Sequence, residues 1–250
     1  MVSPKDRAWG KPTIYKKLPI YPVKMLDIFD FYDYVQCLLL PKNVSQDVNV
    51  IKMTYLSFLI NVTNDDGYLY IRQFLFDLLK LAFRVDDVNI TQNKKGKFII
   101  HINDIQLSEK DFDKIKLIIA EQNLVDIDEE IRDAELEKKM REAREFLARR
   151  SGKMADLEQQ ITAYHCASNL RYEDIENLTI YQFRKGLARF DLIKTADIIQ
   201  SARYSGMVSF KDESNIPTWL SHIEDRDKDE DILMSKESFD KMASDNGLIG

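Results

Sequence analysis

The stretch from Tyr68 to Phe83 constrains everything around it. Its apolar residues Leu69, Ile71, Phe74, Leu75, Leu78, Leu79, Leu81 and Ala82 recur at helical spacing and leave almost no polar face. A helix that is apolar nearly all round is stable only at the centre of a core or under a partner. The rest of the chain must therefore supply elements that wrap it. A sheet is a poor candidate for that wrapping. Only 8 glycines and 6 prolines occur in 250 residues, which leaves few positions for the left-handed turns that sandwiches and barrels need. The expected fold class is mainly α, with a helical N-terminal domain carrying a small β hairpin or meander, a connecting helix, a helical C-terminal domain and a disordered acidic tail.

The elements follow from local pattern. Residues 1–12 are polar and hold Pro4, Gly10 and Pro12, so they read as a flexible arm with Trp9 as an exposed anchor. Thr13–Lys24 alternates and contains two prolines, as in a short hairpin or edge strand. From Met25 the period becomes helical, with Leu26, Phe29, Tyr32, Val35 and Cys37–Leu40 stopped by Pro41. A second helix is expected over 47–62, capped by Asp47, and the all-apolar helix over 68–83. At 88–107 a β insertion interrupts, with strands at 89–92, 97–102 and 105–107 around Asn93-Lys-Lys-Gly96. Ser108-Glu-Lys-Asp111 then opens a helix through Gln122 in the manner of a capping box. This completes an N-terminal domain over 13–125.

Residues 126–152 change character. Acids lead and bases close the segment, Glu135–Lys139, Glu137–Arg141 and Glu145–Arg149 are i,i+4 pairs, and the apolar stripe is thin. That pattern predicts an exposed connecting helix. A C-terminal domain over 153–222 follows, with helices around 157–170 and 172–178. A long helix opened by Thr179-Ile-Tyr-Gln182 ends near Gly206. Residues 223–250 hold nine acids and four bases, which accounts for −5 of the net charge of −6. Such a tail buries too little to order itself.

No catalytic pattern is legible. His101, His165 and His222 are widely separated and none has metal-ligand spacing. There is no phosphate-binding glycine loop, dinucleotide fingerprint, nucleophile elbow or zinc-protease motif. His165-Cys166 are adjacent, and adjacent helical side chains diverge by about 100°. The alternating Asp225, Asp227, Asp229 and Asp231 lack the glycine and terminal glutamate of a calcium loop. The chain is therefore expected to be no enzyme and to need no cofactor or metal. Cys37 and Cys166 are expected as buried reduced thiols. The first residues hold no apolar secretion core, and no stretch approaches the roughly 20 apolar residues of a membrane span. A cytoplasmic protein without membrane contact is expected.

Protein partners are the remaining reading. Trp, Tyr, Phe and Met are enriched at interface cores. The candidate partner-binding residues are Phe74 on the all-apolar helix and Met207, Phe210, Trp219 and Leu220 in the irregular apolar segment near the C-terminal end. The alternative for that segment is that it folds back over the C-terminal helices. A helix-turn-helix reading of 157–204, with Arg184, Lys185 and Arg189 toward DNA, stands as an alternative. It would need polar base readers where Ile180, Tyr181 and Phe183 occur.

Two groups of segments carry a resemblance. One is Ile20-Tyr-Pro-Val-Lys-Met25 with Cys37-Leu-Leu-Leu-Pro-Lys42 and Ile51-Lys-Met-Thr-Tyr-Leu-Ser-Phe-Leu59. The other is Tyr172-Glu-Asp-Ile-Glu-Asn-Leu-Thr-Ile-Tyr-Gln-Phe183 with Ser205-Gly-Met-Val-Ser-Phe-Lys211 and Pro217-Thr-Trp219. Over residues 12–222 the chain resembles baseplate-hub assembly proteins, or tail assembly chaperones, of contractile-tailed bacteriophages and prophages of Gram-positive bacteria. The resemblance implies a non-catalytic assembly protein whose partners are phage tail or baseplate proteins. It would work in the host cytoplasm, and a structural baseplate subunit retained in the virion is the second option.

Overall fold

A computed structural model describes residues 2–40, 42, 48–62, 69–127, 139, 155–206 and 216–223. The fold is mainly α. In chain order the elements are α1 (Pro4–Ala8), β1 (Thr13–Tyr15), β2 (Leu18–Ile20), a 3-10 turn (Met25–Asp27) and α2 (Ile28–Tyr34). A second 3-10 turn (Val35–Leu38), α3 (Val48–Lys52), α4 (Tyr55–Val62) and α5 (Leu69–Phe83) follow. Then come β3 (Asn89–Gln92), β4 (Phe98–Ile102), β5 (Ile105–Ser108), α6 (Glu109–Gln122), α7 (Leu157–Ser168), α8 (Tyr172–Glu176) and α9 (Ile180–Tyr204). Contacts divide the chain into two units. The first is Met1–Ile131 with Leu157–Asp191, the second Arg132–Asp156 with Leu192–Gly250. By contacts, α7, α8 and the start of α9 group with the N-terminal elements.

The core of the first unit forms around α5, as its composition requires. Ile71, Leu75, Leu78, Leu79, Ala82 and Phe83 are buried, together with Phe31, Leu56, Leu59, Phe112, Ile115 and Phe183. The two sheets are antiparallel. β1 pairs with β2, and β3, β4 and β5 form a meander in that order. The meander is bound to the helices by Glu109, whose buried carboxylate accepts from the Ser57 hydroxyl (2.9 Å) and the Phe98 amide (2.8 Å). Lys116, equally buried, lies over the Tyr55 ring at 4.2 Å, where the π face favours its charge.

The α6 start forms as its motif predicts. The Asp111 carboxylate accepts from the Ser108 amide (2.8 Å) and hydroxyl (2.7 Å). The same carboxylate holds the tip of the β1–β2 hairpin. Tyr15 Oη donates to it at 2.7 Å and Lys16 Nζ at 2.8 Å. The tip needs that hold, because Lys16 and Lys17 both have positive φ (47° and 70°), the geometry of a two-residue hairpin turn that Asn-Gly normally supplies. Pro19 is tolerated because β2 is a short strand paired only with β1.

Three expectations are corrected. Residues 1–12 are not a free arm. They form α1, Val2 is buried and its amide donates to Glu121 (2.9 Å), while Arg7 pairs with Glu121 and lies 4.9 Å from the Tyr181 ring. The helix expected over 47–62 breaks at Met53–Thr54. Thr54 recaps the chain, its Oγ1 accepting from the Ser57 amide (3.3 Å), and Lys42 Nζ satisfies the Ile51 and Met53 carbonyls. The apolar phase of α2 is also shifted. Met25, Ile28, Phe31 and Val35 face the core, whereas Leu26 and Phe29 are 63% and 59% exposed. The segment carries two apolar stripes, and packing against α5 buries the one with Met25 and Ile28. The connecting helix and the acidic tail fall almost entirely outside the described residues.

The end of α8 and start of α9 are joined to the first turns of the chain. Thr179 and Gln182 make the expected reciprocal cap, Thr179 N–H to Gln182 Oε1 (2.9 Å) and Gln182 N–H to Thr179 Oγ1 (3.2 Å). The Met25 amide donates to the Leu178 carbonyl (2.8 Å) and the Ile180 amide to that of Val23 (3.0 Å). Tyr164 of α7 packs between Phe183 and Phe190, with ring centroids 4.9 and 5.3 Å away. Gly186 lets it approach, since a Cβ there would stand 2.6 Å from the Tyr164 hydroxyl oxygen.

Candidate docking groove

On α5, Tyr70, Phe74, Asp77 and Leu81 follow one another at spacings of four, three and four residues, so they share one flank. On α2 and the turn before it, Asp27, Asp30 and Tyr34 do the same. The two helices pack together. Tyr34 meets Phe74 with ring centroids 6.0 Å apart, and Phe74 meets Tyr70 edge to face at 5.5 Å. At the other end Asp27 and Leu81 line a common cavity of about 240 Å³ with Pro22, Val23, Lys24 and Arg84. The helices therefore run in opposite directions, and their two flanks border one line, the α2–α5 groove, with the aromatic cluster at one end and the cavity at the other.

One end of the groove is aromatic and acidic. Tyr70 is 53% exposed, and Tyr34 and Phe74 are half-buried. Asp30 and Asp33 are exposed, Asp77 half-buried, and among the described residues none of the three has a cationic partner. Asp77 accepts from Gln73 Nε2, at 2.9 and 3.0 Å. The Tyr34 hydroxyl is held above its ordinary value by burial first and then by the charges of Asp30, Asp77 and Asp33. Asp30 and Asp77 stand on the two flanks, one turn from Tyr34 and Phe74 respectively. The other end is apolar and basic. Lys24 Nζ donates to Asn177 Oδ1 (2.8 Å), and the Arg84 guanidinium lies 4.2 Å from the Tyr21 ring.

Of the five residues singled out from sequence, Phe74 lies in this groove. Trp219 and Leu220 belong to the second unit, in the turn Thr218–Ser221, 61% and 70% exposed. Met207 and Phe210 lie outside the described residues. Sequence reasoning missed Tyr34, Tyr70, Asp30, Asp33 and Asp77. The four- and three-residue spacing of Tyr70, Phe74, Asp77 and Leu81 was a signal for half of the groove.

The residues weighed for chemistry lie apart. His101 Nε2 is 2.7 Å from Thr91 Oγ1 on the meander. His165 is stacked on Tyr172 at 4.4 Å, with Nδ1 2.6 Å from the Leu170 carbonyl. Cys37 is buried, and burial pushes its thiol far above the ordinary range, but Cys166 is exposed rather than buried as expected. No group of three or more His, Cys, Asp or Glu among the described residues stands where it could hold a metal. No helix among them is long and apolar enough to cross a membrane.

The helix-turn-helix alternative meets buried or engaged side chains where it needs exposed ones. Ile180 and Phe183, in the first turn of the would-be recognition helix, are 1% and 0% exposed. Gln182 Nε2 donates to the Ala8 carbonyl (3.0 Å), and Arg184 donates inward to Gln160 and the Tyr32 hydroxyl. A recognition helix must offer these positions to base edges.

Residues 148–224 match the family described as the YomV second domain, which takes in α7, α8, α9 and the Trp219–Leu220 turn. The match spans under a third of the chain and is compatible with a phage protein. No curated protein and no solved structure matches.

Proposed function

We propose that this chain is a phage tail or baseplate assembly protein that acts by protein–protein contact and without catalysis. The observation that carries the reading is the α2–α5 groove. Tyr34, Tyr70 and Phe74 form an aromatic cluster left partly uncovered at one end, with an open cavity at the other, an arrangement suited to an interface anchor site. The YomV second-domain match supports phage origin, and the resemblance over residues 12–222 supports the tail or baseplate as the place of work. The partners are then tail or baseplate proteins met in the host cytoplasm.

The test is co-expression of the full chain with the neighbouring tail genes, with recovery measured from lysate and from finished particles. Tail or baseplate proteins are expected to co-purify. A Tyr70→Ala, Phe74→Ala variant that still unfolds cooperatively is expected to lose roughly tenfold or more of that recovery, the usual cost of removing aromatic anchors. Undiminished recovery with that variant would overturn the groove as the docking site. Presence in the purified particle selects the retained baseplate subunit over the transient chaperone.

A further inference from the structure

We infer that the occupant of the α2–α5 groove is an extended peptide segment of a partner protein, anchored by a lysine or arginine over the Tyr34, Phe74 and Tyr70 rings and by an apolar residue in the cavity at Leu81. This inference rests on the groove being a docking site and names what it selects. The charge layout decides the chemistry. Asp30 and Asp77 flank the aromatic cluster from α2 and α5, the charge of Asp33 also reaches Tyr34, and none of the three has an ion pair among the described residues. A cation there gains both the π faces and three carboxylates, whereas an anion or a phosphate backbone is repelled. Nucleic acid is therefore excluded as the occupant at that end.

The far end differs. The cavity is lined by Pro22, Val23 and Leu81, with Lys24 and Arg84 at its rim beside Asp27. It accepts an apolar side chain, and a carboxylate next to that side chain is within the field of the two bases. Phe74 and Leu81 are two helical turns apart, about 10 Å at the rise of an α-helix. An extended chain covers that distance in about three residues. The expected ligand pattern is a basic residue and, about three positions away, an apolar residue flanked by an acid.

A random peptide library displayed on a carrier and panned against the full-length chain tests this. Peptides enriched on the wild type are expected to carry lysine or arginine with an apolar residue about three positions away. They are expected to bind roughly tenfold or more weakly to an Asp30→Asn, Asp33→Asn, Asp77→Asn variant, and to weaken with added salt. The three substitutions are at surface positions, and matching urea midpoints show that the variant is folded. Enriched peptides that lack a basic residue yet lose binding to Phe74→Ala overturn the cation assignment and leave the docking reading standing. Enriched peptides indifferent to both variants, or no enrichment, overturn the docking reading with it. Enrichment of sequences from this chain itself replaces the partner protein with a second copy.

Discussion

Asp111 fastens two distant parts of the chain, and removing its carboxylate has a calculable cost. Three contributions are lost in Asp111→Ala. The hydrogen bond from the Tyr15 hydroxyl to a charged acceptor is worth on the order of 1.5–3 kcal/mol. The capping contacts with Ser108 are worth about 1 kcal/mol. The Lys16 pair adds under about 1 kcal/mol, because the Lys16 side chain is 52% exposed and solvent screens it. These contacts share one carboxylate and do not add fully, so the expected loss is about 3 kcal/mol. In urea that moves the midpoint down by roughly 1 M at an ordinary slope. Lys16→Ala alone is expected to cost under about 1 kcal/mol. A Tyr15→Phe, Asp111→Ala cycle is expected to show coupling of about 1–2 kcal/mol.

The pH dependence follows from the same contacts. Burial raises the Asp111 carboxyl, but the hydrogen bonds from Lys16, Ser108 and Tyr15 outweigh it and hold the group well below the usual carboxylate range. Its folded pKa thus lies below the unfolded value near about 3.9. The contribution is present above that value and falls away as pH drops from about 4 toward the folded pKa. Tyr15 shifts the other way. Burial, then its bond to Asp111 and that residue's charge, push it up to about 12 from 10.0. Its share holds below pH 10.0 and is lost as pH rises through about 12. Urea midpoints of wild type and Asp111→Ala are therefore expected to converge as pH falls below about 4. A midpoint change under about 0.3 M at pH 7, or an undiminished gap at acid pH, would refute the assignment of Asp111 as the fastener.

Other expectations are narrower. Gly186→Ala places a Cβ 2.6 Å from the Tyr164 hydroxyl oxygen and 2.7 Å from Cε2. It is expected to cost about 1–3 kcal/mol by thermal or urea unfolding, with partial recovery on adding Tyr164→Ala. Phe183→Ala removes a fully buried ring that packs on Tyr164 and is expected to cost about 3–5 kcal/mol in the same assay. Thiol titration of the native chain is expected to find one fast group, Cys166. Cys37 should react only after denaturation, because it is buried and its thiolate strongly disfavoured. Arg184→Ala is expected to lower stability by about 1–2 kcal/mol through its lost bonds to Gln160 and Tyr32.

What was legible in the sequence was whatever a local pattern can specify. The meander, the capping boxes at Ser108–Asp111 and Thr179–Gln182, and the span of α5 follow from turn residues and spacing within a few positions. The failures have physical causes of longer range. Residues 1–12 look like a free arm until Val2 finds Glu121, a residue 119 positions away. The α2 phase could not be chosen locally, since Leu26/Phe29 and Met25/Ile28 both repeat at three and only the neighbouring helix decides between them. The break at Met53–Thr54 depends on Lys42 reaching the carbonyls of Ile51 and Met53. The groove was half legible. Phe74 stood out for its place on α5, but Tyr34, Asp30 and Asp33 join it only because α2 packs there.

The pattern of α5 poses two alternatives, burial in a core or cover from a partner, and most of the helix takes the first. Ile71, Leu75, Leu78, Leu79 and Ala82 point inward and are sealed, which satisfies most of its apolar surface. Tyr70, Phe74 and Leu81 lie on a flank that α2 borders without closing. If stability alone shaped that flank, aliphatic residues meeting across α2 would bury it more fully. The flank instead carries rings with the carboxylates of Asp30 and Asp77 one turn away, neither in an ion pair among the described residues. Like charges so placed repel one another and lower the stability of the free protein. On the proposed reading, a cation carried by the occupant offsets that cost. The same residues that leave α5 incompletely covered would then specify the chemistry of what completes it.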